Sequence, residues 1–259
     1  MAEYSRRQFQ FAFNLTPVVK RLLIALPVIW LVTSVLVNFA KSPLAIEGIS
    51  HLILQPSAVI PGDPVPEVWQ VVTYAWLHDF GGLFHILFNG LALFFFGPEL
   101  ERRWGGRAFF KFWMLTGIFA GVFSVLVGKL VPAWFDQPIV GASGAIFGLL
   151  AAWSMLFPTR EVLLFFVIPV KVRWLIWLSV GIDLVLFFAN DPRRNAIAFQ
   201  THIGGAITGW FLITGNWHPR VFGPKVKRLF ARKPKKTSGF RVIDGGRGRS
   251  GRSDRDYLH

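Results

Sequence analysis

The chain has 259 residues, of which 53% are hydrophobic and only 16% are charged, whereas a soluble domain carries about 25% charged residues. Its 27 Phe, 11 Trp and absence of Cys exclude a disordered chain, a disulfide scaffold, a Cys-ligated metal centre and a thiol enzyme. The formal net charge is +14. This composition is typical of a membrane protein.

Six apolar segments approach the length of about 20 residues that a membrane-spanning helix needs. In chain order they are residues 22–40, 81–98, 108–128, 142–157, 172–189 and 199–215. The sequence therefore predicts an all-α polytopic membrane protein, a bundle of six transmembrane helices. The fourth segment is short, which is typical of a span with one end buried in protein or beside a water-filled cavity.

The positive charges alternate between the two sides of this predicted bundle. The N-terminal segment, the 99–111 and 158–173 loops and the C-terminal tail together hold 24 Lys and Arg, whereas residues 41–80, 129–141 and 190–198 hold 4. Because cytoplasmic loops carry the excess of Lys and Arg, both termini are predicted to be cytoplasmic. The second, fourth and sixth helices then enter the bilayer from the external side.

Composition divides the chain into three parts: a short basic cytoplasmic N-terminus (1–21), the membrane domain (22–216) and a basic tail (217–259). The tail has 13 Lys and Arg against 3 Asp and is rich in Gly and Ser, which predicts disorder. A basic segment after a membrane helix typically binds anionic lipid headgroups. RNA binding by its Gly-Arg run is a second interpretation, but we expect no nucleic-acid partner.

Four polar residues lie one or two turns inside the even-numbered helices, where polar groups in a membrane helix indicate function. They are His85, Asn89, Ser143 and His202. His85 and Asn89 are four residues apart and so share one helix face. Since the three helices enter from the same side, all four residues fall within roughly the outer third of the bilayer. Four polar groups at one depth predict a site.

These residue types suit acyl transfer. A Ser hydroxyl becomes a nucleophile when a neighbouring base takes its proton, and His is the usual base. The tetrahedral oxyanion needs hydrogen-bond donors already in place, which Asn and His side chains and a backbone N–H at a helix start can supply. The sequence therefore favours Ser143 and His202 as nucleophile and base, with Asn89 and His85 among the donors.

Glycines flank both candidate residues and allow close approach of the backbone. They are Gly141, Gly144, Gly204 and Gly205, and two of them belong to the small-x-x-x-small pairs Gly144/Gly148 and Gly205/Gly209. Such pairs predict closely packed helices. Taken singly, each polar residue also has a structural interpretation: a Ser bonded to its own helix, an Asn that links two helices, or a His in proton transport.

An acidic partner for His202 is not evident from the sequence. Asp183 lies in the fifth predicted helix, which runs outward, and we expect it deeper than the four polar residues, paired within the bundle or capping water. The sequence therefore predicts a Ser–His dyad.

The ordered motifs resemble those of the rhomboid family of intramembrane serine proteases. They fall within about residues 70–210 and are His85-x-x-x-Asn89, Gly97-x-x-Leu100-Glu101-x-x-x-Gly105, Gly141-x-Ser143-Gly144 and His202-x-Gly204-Gly205. Each motif alone is weak, but the ordered set on the predicted helices is specific. The resemblance implies the basic six-helix form of the family.

The resemblance also implies roles for the site residues. Ser143 is the implied nucleophile and His202 the implied general base and later general acid. Asn89, His85 and the Ser143 amide are the implied oxyanion donors. Phe147, four residues after the nucleophile, is expected to stack on the catalytic His. Structural roles are implied for His78 and Glu101.

The implied activity is that of a serine endopeptidase that cleaves single-span membrane proteins near the external side of the bilayer. No cofactor or metal is expected. One alternative is a catalytically inactive rhomboid-like protein that binds membrane segments. Another is a transporter with His85 and His202 as a proton relay, which predicts paired acidic residues and an internal repeat. The short basic N-terminus and the lack of a transit peptide predict a bacterial inner membrane.

Overall fold

The structure is a computed structural model that describes residues 15–59, 66–164, 167–189 and 198–215. Ten α-helices and one β-hairpin follow one another in these residues. They are α1 (Pro17–Ser34, extended by a π-helical segment Val35–Phe39), α2 (Pro43–Ser50), α3 (Pro56–Val59), α4 (Gln70–Thr73, followed by a 3₁₀ turn Tyr74–Trp76), α5 (Leu83–Trp104), α6 (Gly106–Leu130), α7 (Pro132–Phe135), α8 (Ser143–Leu156), β1 (Glu161–Leu164), β2 (Ile168–Lys171), α9 (Val172–Ala189) and α10 (Phe199–Thr214).

Within the described residues, four helices are long and apolar enough to cross a membrane: α1 with its extension, α5, α6 and α9. α8 and α10 are shorter, with 14 and 16 residues. These six helices coincide with the six predicted segments, although α1 begins at Pro17 rather than at residue 22. The helical architecture is therefore confirmed, whereas the number of six spans stays a prediction.

The structure describes only part of the predicted N-terminal part of the chain and none of the predicted tail. Residues 1–14 and the entire basic tail, 217–259, are not among the described residues. The boundaries of the three parts therefore stay predictions.

Gly105 alone separates α5 from α6. Its φ is +83°, in the left-handed region that glycine enters without a steric cost. The last turn of α5 carries Arg102 and Arg103, whose charges are favourable near the negative end of the helix dipole. The chain can therefore reverse direction within one residue and place α6 beside α5.

Glu101, in the last turn of α5, caps the start of α1. Its side chain is buried, and its carboxylate accepts hydrogen bonds from Thr16 Oγ1 at 2.5 Å, Val18 N at 3.0 Å and Val19 N at 2.9 Å. The first N–H groups of a helix have no partner within it, and a negative charge there is favourable. The structural role implied for Glu101 is confirmed.

The most buried helix, α8, packs directly on α10 through backbone atoms. A β-carbon added to Gly205 would lie 2.0 Å from the carbonyl oxygen of Gly144, and one added to Gly209 would lie 2.5 Å from that of Gly148. Both distances are far shorter than any van der Waals contact, so only glycine fits at either position. The close packing predicted from the glycine pairs is therefore confirmed.

The segment between α1 and α5 covers the end of the bundle at which α8 begins, which we call the site end. Leu54 and Ile139 exchange backbone hydrogen bonds at 3.1 and 2.9 Å. The Tyr74 hydroxyl donates to the Gly117 carbonyl at 2.7 Å, and the Gly141 N–H donates to the Tyr74 carbonyl at 3.0 Å. These contacts fix the backbone that leads into α8.

The 158–173 connection, predicted as a loop, contains the antiparallel hairpin β1–β2. Glu161 lies opposite Lys171, so the outer pair has opposite charges. Four paired residues per strand are too few for a clear alternating pattern in the sequence, which is why the hairpin was not predicted. The Val172 N–H donates to the Arg160 carbonyl at 2.8 Å, so the hairpin leads straight into α9.

Candidate active site

Ser143 is the first residue of α8, and the backbone before it is unusual. Gly141 has φ +125°, a conformation that side-chain-bearing residues rarely adopt. The first N–H groups of a helix are not used by its own carbonyls, and the helix dipole favours negative charge beside them. The start of α8 therefore offers a hydroxyl and backbone donors in one place.

His202 lies in the first turn of α10 and stacks on Phe147 of α8. The two ring centroids are 4.2 Å apart and the ring planes differ by 10°. Phe147 follows Ser143 by four residues, so both lie on one face of α8. Gly205 of α10 also contacts Gly144, the residue after Ser143. His202 therefore lies near the turn of α8 that carries Ser143. The stacking expected for Phe147 is present.

In the part of the chain that the structure describes, no hydrogen bond joins Ser143 to His202. Hydrogen bonds between catalytic groups are often long or poorly aligned before substrate binds and tighten afterwards. The two residues lie on the first turns of two helices that are in contact.

His85 comes to the same site from α5. A β-carbon added to Gly141 would lie 2.6 Å from His85 Nε2 and 3.8 Å from Ser143 Oγ, so the imidazole and the hydroxyl both flank this glycine. The structure thus places His85 beside Ser143.

Asn89 lies one turn after His85 on α5 and is buried. Its Nδ2 has no hydrogen-bond partner among the described residues. A buried N–H group without a partner is uncommon in folded proteins and carries a cost in free energy. An amide kept in this state is suited to bind an oxygen that arrives with the substrate.

His78 supports the backbone before Ser143. Its side chain is fully buried, and this burial, with a smaller effect from the nearby His85, lowers the pKa of His78 to about 3. The ring is therefore neutral, and its Nε2 accepts a long hydrogen bond from the Ala142 N–H at 3.5 Å. Its ring packs edge-on against His85, with 5.2 Å between centroids. These contacts agree with the structural role implied for His78.

Asp183 belongs to this site, although its sequence position predicted a greater depth. Its Oδ2 lies 2.6 Å from His202 Nδ1, and both side chains are 13% exposed. The expectation of a deeper position was wrong, because this hydrogen bond places Asp183 at the depth of His202, whereas the expected pairing within the bundle is present. Counting back six residues from the end of the fifth predicted span, at about 1.5 Å per residue, would have placed it in the outer third.

These features define a class: a helical membrane protein with Ser and His side chains brought together near one end of its bundle. The sequence model of the Rhomboid domain matches residues 65–218, more than half of the chain. The chain belongs to the rhomboid family. It is accordingly a multi-pass membrane protein.

Several curated relatives carry the same family name. Rhomboid protein 1, mitochondrial, of Saccharomyces cerevisiae is 30% identical over 170 residues, which are 61% of this chain and 46% of the relative. Rhomboid-like protein 19 of Arabidopsis thaliana is 26% identical over 199 residues, 70% and 62% of the two chains. Rhomboid protease GluP of Bacillus subtilis is 30% identical over 165 residues, 64% and 29%. The chain spans less than two thirds of each of these three relatives.

Proposed function

We propose that this protein is an intramembrane serine endopeptidase in which Ser143 is the nucleophile and His202 the general base. The observation that carries the proposal is the stacking of His202 on Phe147, one turn from Ser143, on two helices in backbone contact. Membership of the rhomboid family and a relative named as a protease support a hydrolase.

The mechanism uses the groups assembled at the start of α8. His202 takes the proton of the Ser143 hydroxyl as its oxygen attacks the substrate carbonyl, and then gives that proton to the leaving amine. The Ser143 N–H, Asn89 Nδ2 and His85 donate hydrogen bonds to the oxyanion. Water then hydrolyses the acyl-enzyme, with His202 again as the base.

The proposed substrates are single-span membrane proteins. A membrane helix has all its backbone groups hydrogen-bonded, so it must unwind locally before a carbonyl can reach Ser143. Glycine or proline near the cleavage site makes this unwinding easier. We place the site on the external side of a six-span bundle with cytoplasmic termini, in a bacterial inner membrane, with anionic headgroups at the basic tail.

The test uses the purified full chain in liposomes with a fluorescent single-span substrate. We expect cleavage by the wild type and a loss of about 10³-fold or more in both Ser143→Ala and His202→Ala, because each removes a group that takes part in bond making. Ser154→Ala, on the same helix but at its other end, is the matched control and retains cleavage.

A fluorophosphonate probe separates this proposal from the alternative of an inactive rhomboid-like protein that binds membrane segments. Labelling of the wild type and not of Ser143→Ala supports a reactive nucleophile. Segment binding without labelling or cleavage favours the inactive protein. Cleavage that persists in Ser143→Ala contradicts the assignment of the nucleophile.

A further inference from the structure

The carboxylate of Asp183 meets the ring nitrogen of His202 that a catalytic base does not use. We propose that Asp183 is a positioning residue, which holds His202 in the tautomer and orientation that leave Nε2 available to Ser143. The inference rests on the proposed function and extends it from a Ser–His pair to three groups on α8, α9 and α10.

The hydrogen bond fixes the protonation state of the imidazole. An ionised carboxylate can only accept hydrogen bonds, so at 2.6 Å the His202 Nδ1 must carry the proton. In the neutral ring the other nitrogen, Nε2, is then an acceptor. That is the nitrogen that could receive the proton of Ser143.

The groups packed around His202 restrict the orientation of its ring. Phe147 from α8 covers one face of the imidazole, and Asp183 from α9 holds Nδ1. Rotation of the ring would break the Asp183 hydrogen bond and the parallel stacking together. The ring therefore has one favoured position.

The same carboxylate favours the charge that forms during catalysis. When His202 takes the Ser143 proton, the ring becomes a cation beside the Asp183 anion. Both side chains are largely shielded from solvent, where such an attraction is stronger than in water. The charge pair forms with the first proton transfer and disappears when the proton reaches the leaving amine.

A purely structural role would be the docking of α9 on its neighbours, and the chain offers a control for this role. At the opposite end of α9, Ser154 Oγ of α8 donates to the Val172 carbonyl at 3.0 Å. Ser154→Ala loosens α9 without touching His202, whereas Asp183→Asn keeps nearly the same side-chain volume and removes the charge.

The kinetic test compares these variants as full chains in liposomes with the single-span substrate. In Asp183→Asn we expect kcat to fall by about 10²–10⁴-fold with KM within about twofold, because the amide can donate to Nδ1 and favour the wrong tautomer. Asp183→Glu should recover part of the rate, and Ser154→Ala should stay within about twofold of the wild type.

A second readout does not depend on cleavage. Nitrogen NMR of ¹⁵N-histidine-labelled protein, with the His202 signals assigned from a His202→Gln variant, should show Nδ1 protonated in the wild type and Nε2 protonated in Asp183→Asn. An unchanged tautomer with kcat within twofold overturns the inference, as does an equal loss of kcat in Ser154→Ala. If Ser143→Ala still cleaves, the proposed function fails, and the NMR result still decides the role of Asp183.

Discussion

The helices at the centre of the bundle and those at its edge are held in place by different means. Every residue of α8 from Gly144 to Ser154 is buried, whereas the buried residues of α9 are Val172, Leu175 and Asp183. At Gly205 and Gly209 the α8–α10 contact is backbone against backbone. The edge helix α9 is hydrogen-bonded to its neighbours through the Val172 carbonyl at its start and through Asp183.

The other edge helix, α1, is also held by hydrogen bonds of polar side chains. Glu101 holds its start, and at the site end Trp30 Nε1 and Asn38 Nδ2 donate to the carbonyls of Asp79 and Phe80 at 2.8 and 2.7 Å. In lipid, helices gain little from hydrophobic association, so close packing and hydrogen bonds decide which helices pair. The centre should therefore tolerate no added atom, whereas the edge should depend on a few side chains.

The largest expected effect comes from an added methyl group at the centre. Gly205→Ala places a β-carbon 2.0 Å from the Gly144 carbonyl, so α10 must move by roughly 1 Å or more, and shifts of this size at a site cost about 10²-fold in rate. We expect cleavage near background and a lower Tm in detergent. Gly181→Ala on α9, where no atom lies within 4 Å of the new β-carbon, is the control and should resemble the wild type. Equal activity of both variants would show that the contact is not required.

A narrower effect, on kcat and not on Tm, is expected at the central residue Asn89. Asn89→Ala removes an amide whose Nδ2 makes no hydrogen bond within the described part of the chain. Loss of one oxyanion donor lowers kcat by about 10²–10³-fold, while KM and Tm should stay close to wild-type values. Asn38→Ala, which removes a bonded amide at the edge, should show the reverse: an unchanged kcat and a slightly lower Tm. A large drop in Tm for Asn89→Ala would instead assign Asn89 a structural role.

The smallest effect concerns stability alone. Glu101→Gln keeps the size of the side chain that caps α1 but removes its charge, and we expect the free energy of unfolding to fall by about 1–2 kcal/mol. Glu99→Gln, two residues earlier on the same helix, breaks only the ion pair with Arg160 at the surface. It should lower the free energy of unfolding by less than about 1 kcal/mol. Thermal unfolding followed by circular dichroism measures both. Cleavage at low temperature should be preserved, and a catalytic loss in Glu101→Gln would mean that the edge does control the site.

The sequence predicted the centre better than the edge, for a physical reason. The apolar segments of the sequence predict the positions of α8 and α10. The spacing of Gly144, Gly148, Gly205 and Gly209 predicts their contact, because glycine has no side chain to keep two helix backbones apart. Asp183 was misplaced because its partner, His202, comes from another helix, and no local pattern in the sequence links the two. The hairpin escaped prediction because its strands are short.

The hairpin leads into α9 without an intervening residue, so it sets the rotation of that helix about its own axis. Each residue of an α-helix turns the chain by about 100°, and Asp183 lies eleven residues after Val172, where the helix begins. A one-residue insertion between these positions would carry the carboxylate about 100° around the axis and away from His202, with every apolar residue still at membrane depth. The number of residues between the hairpin and Asp183 is thus as important for the site as the hydrophobicity of α9.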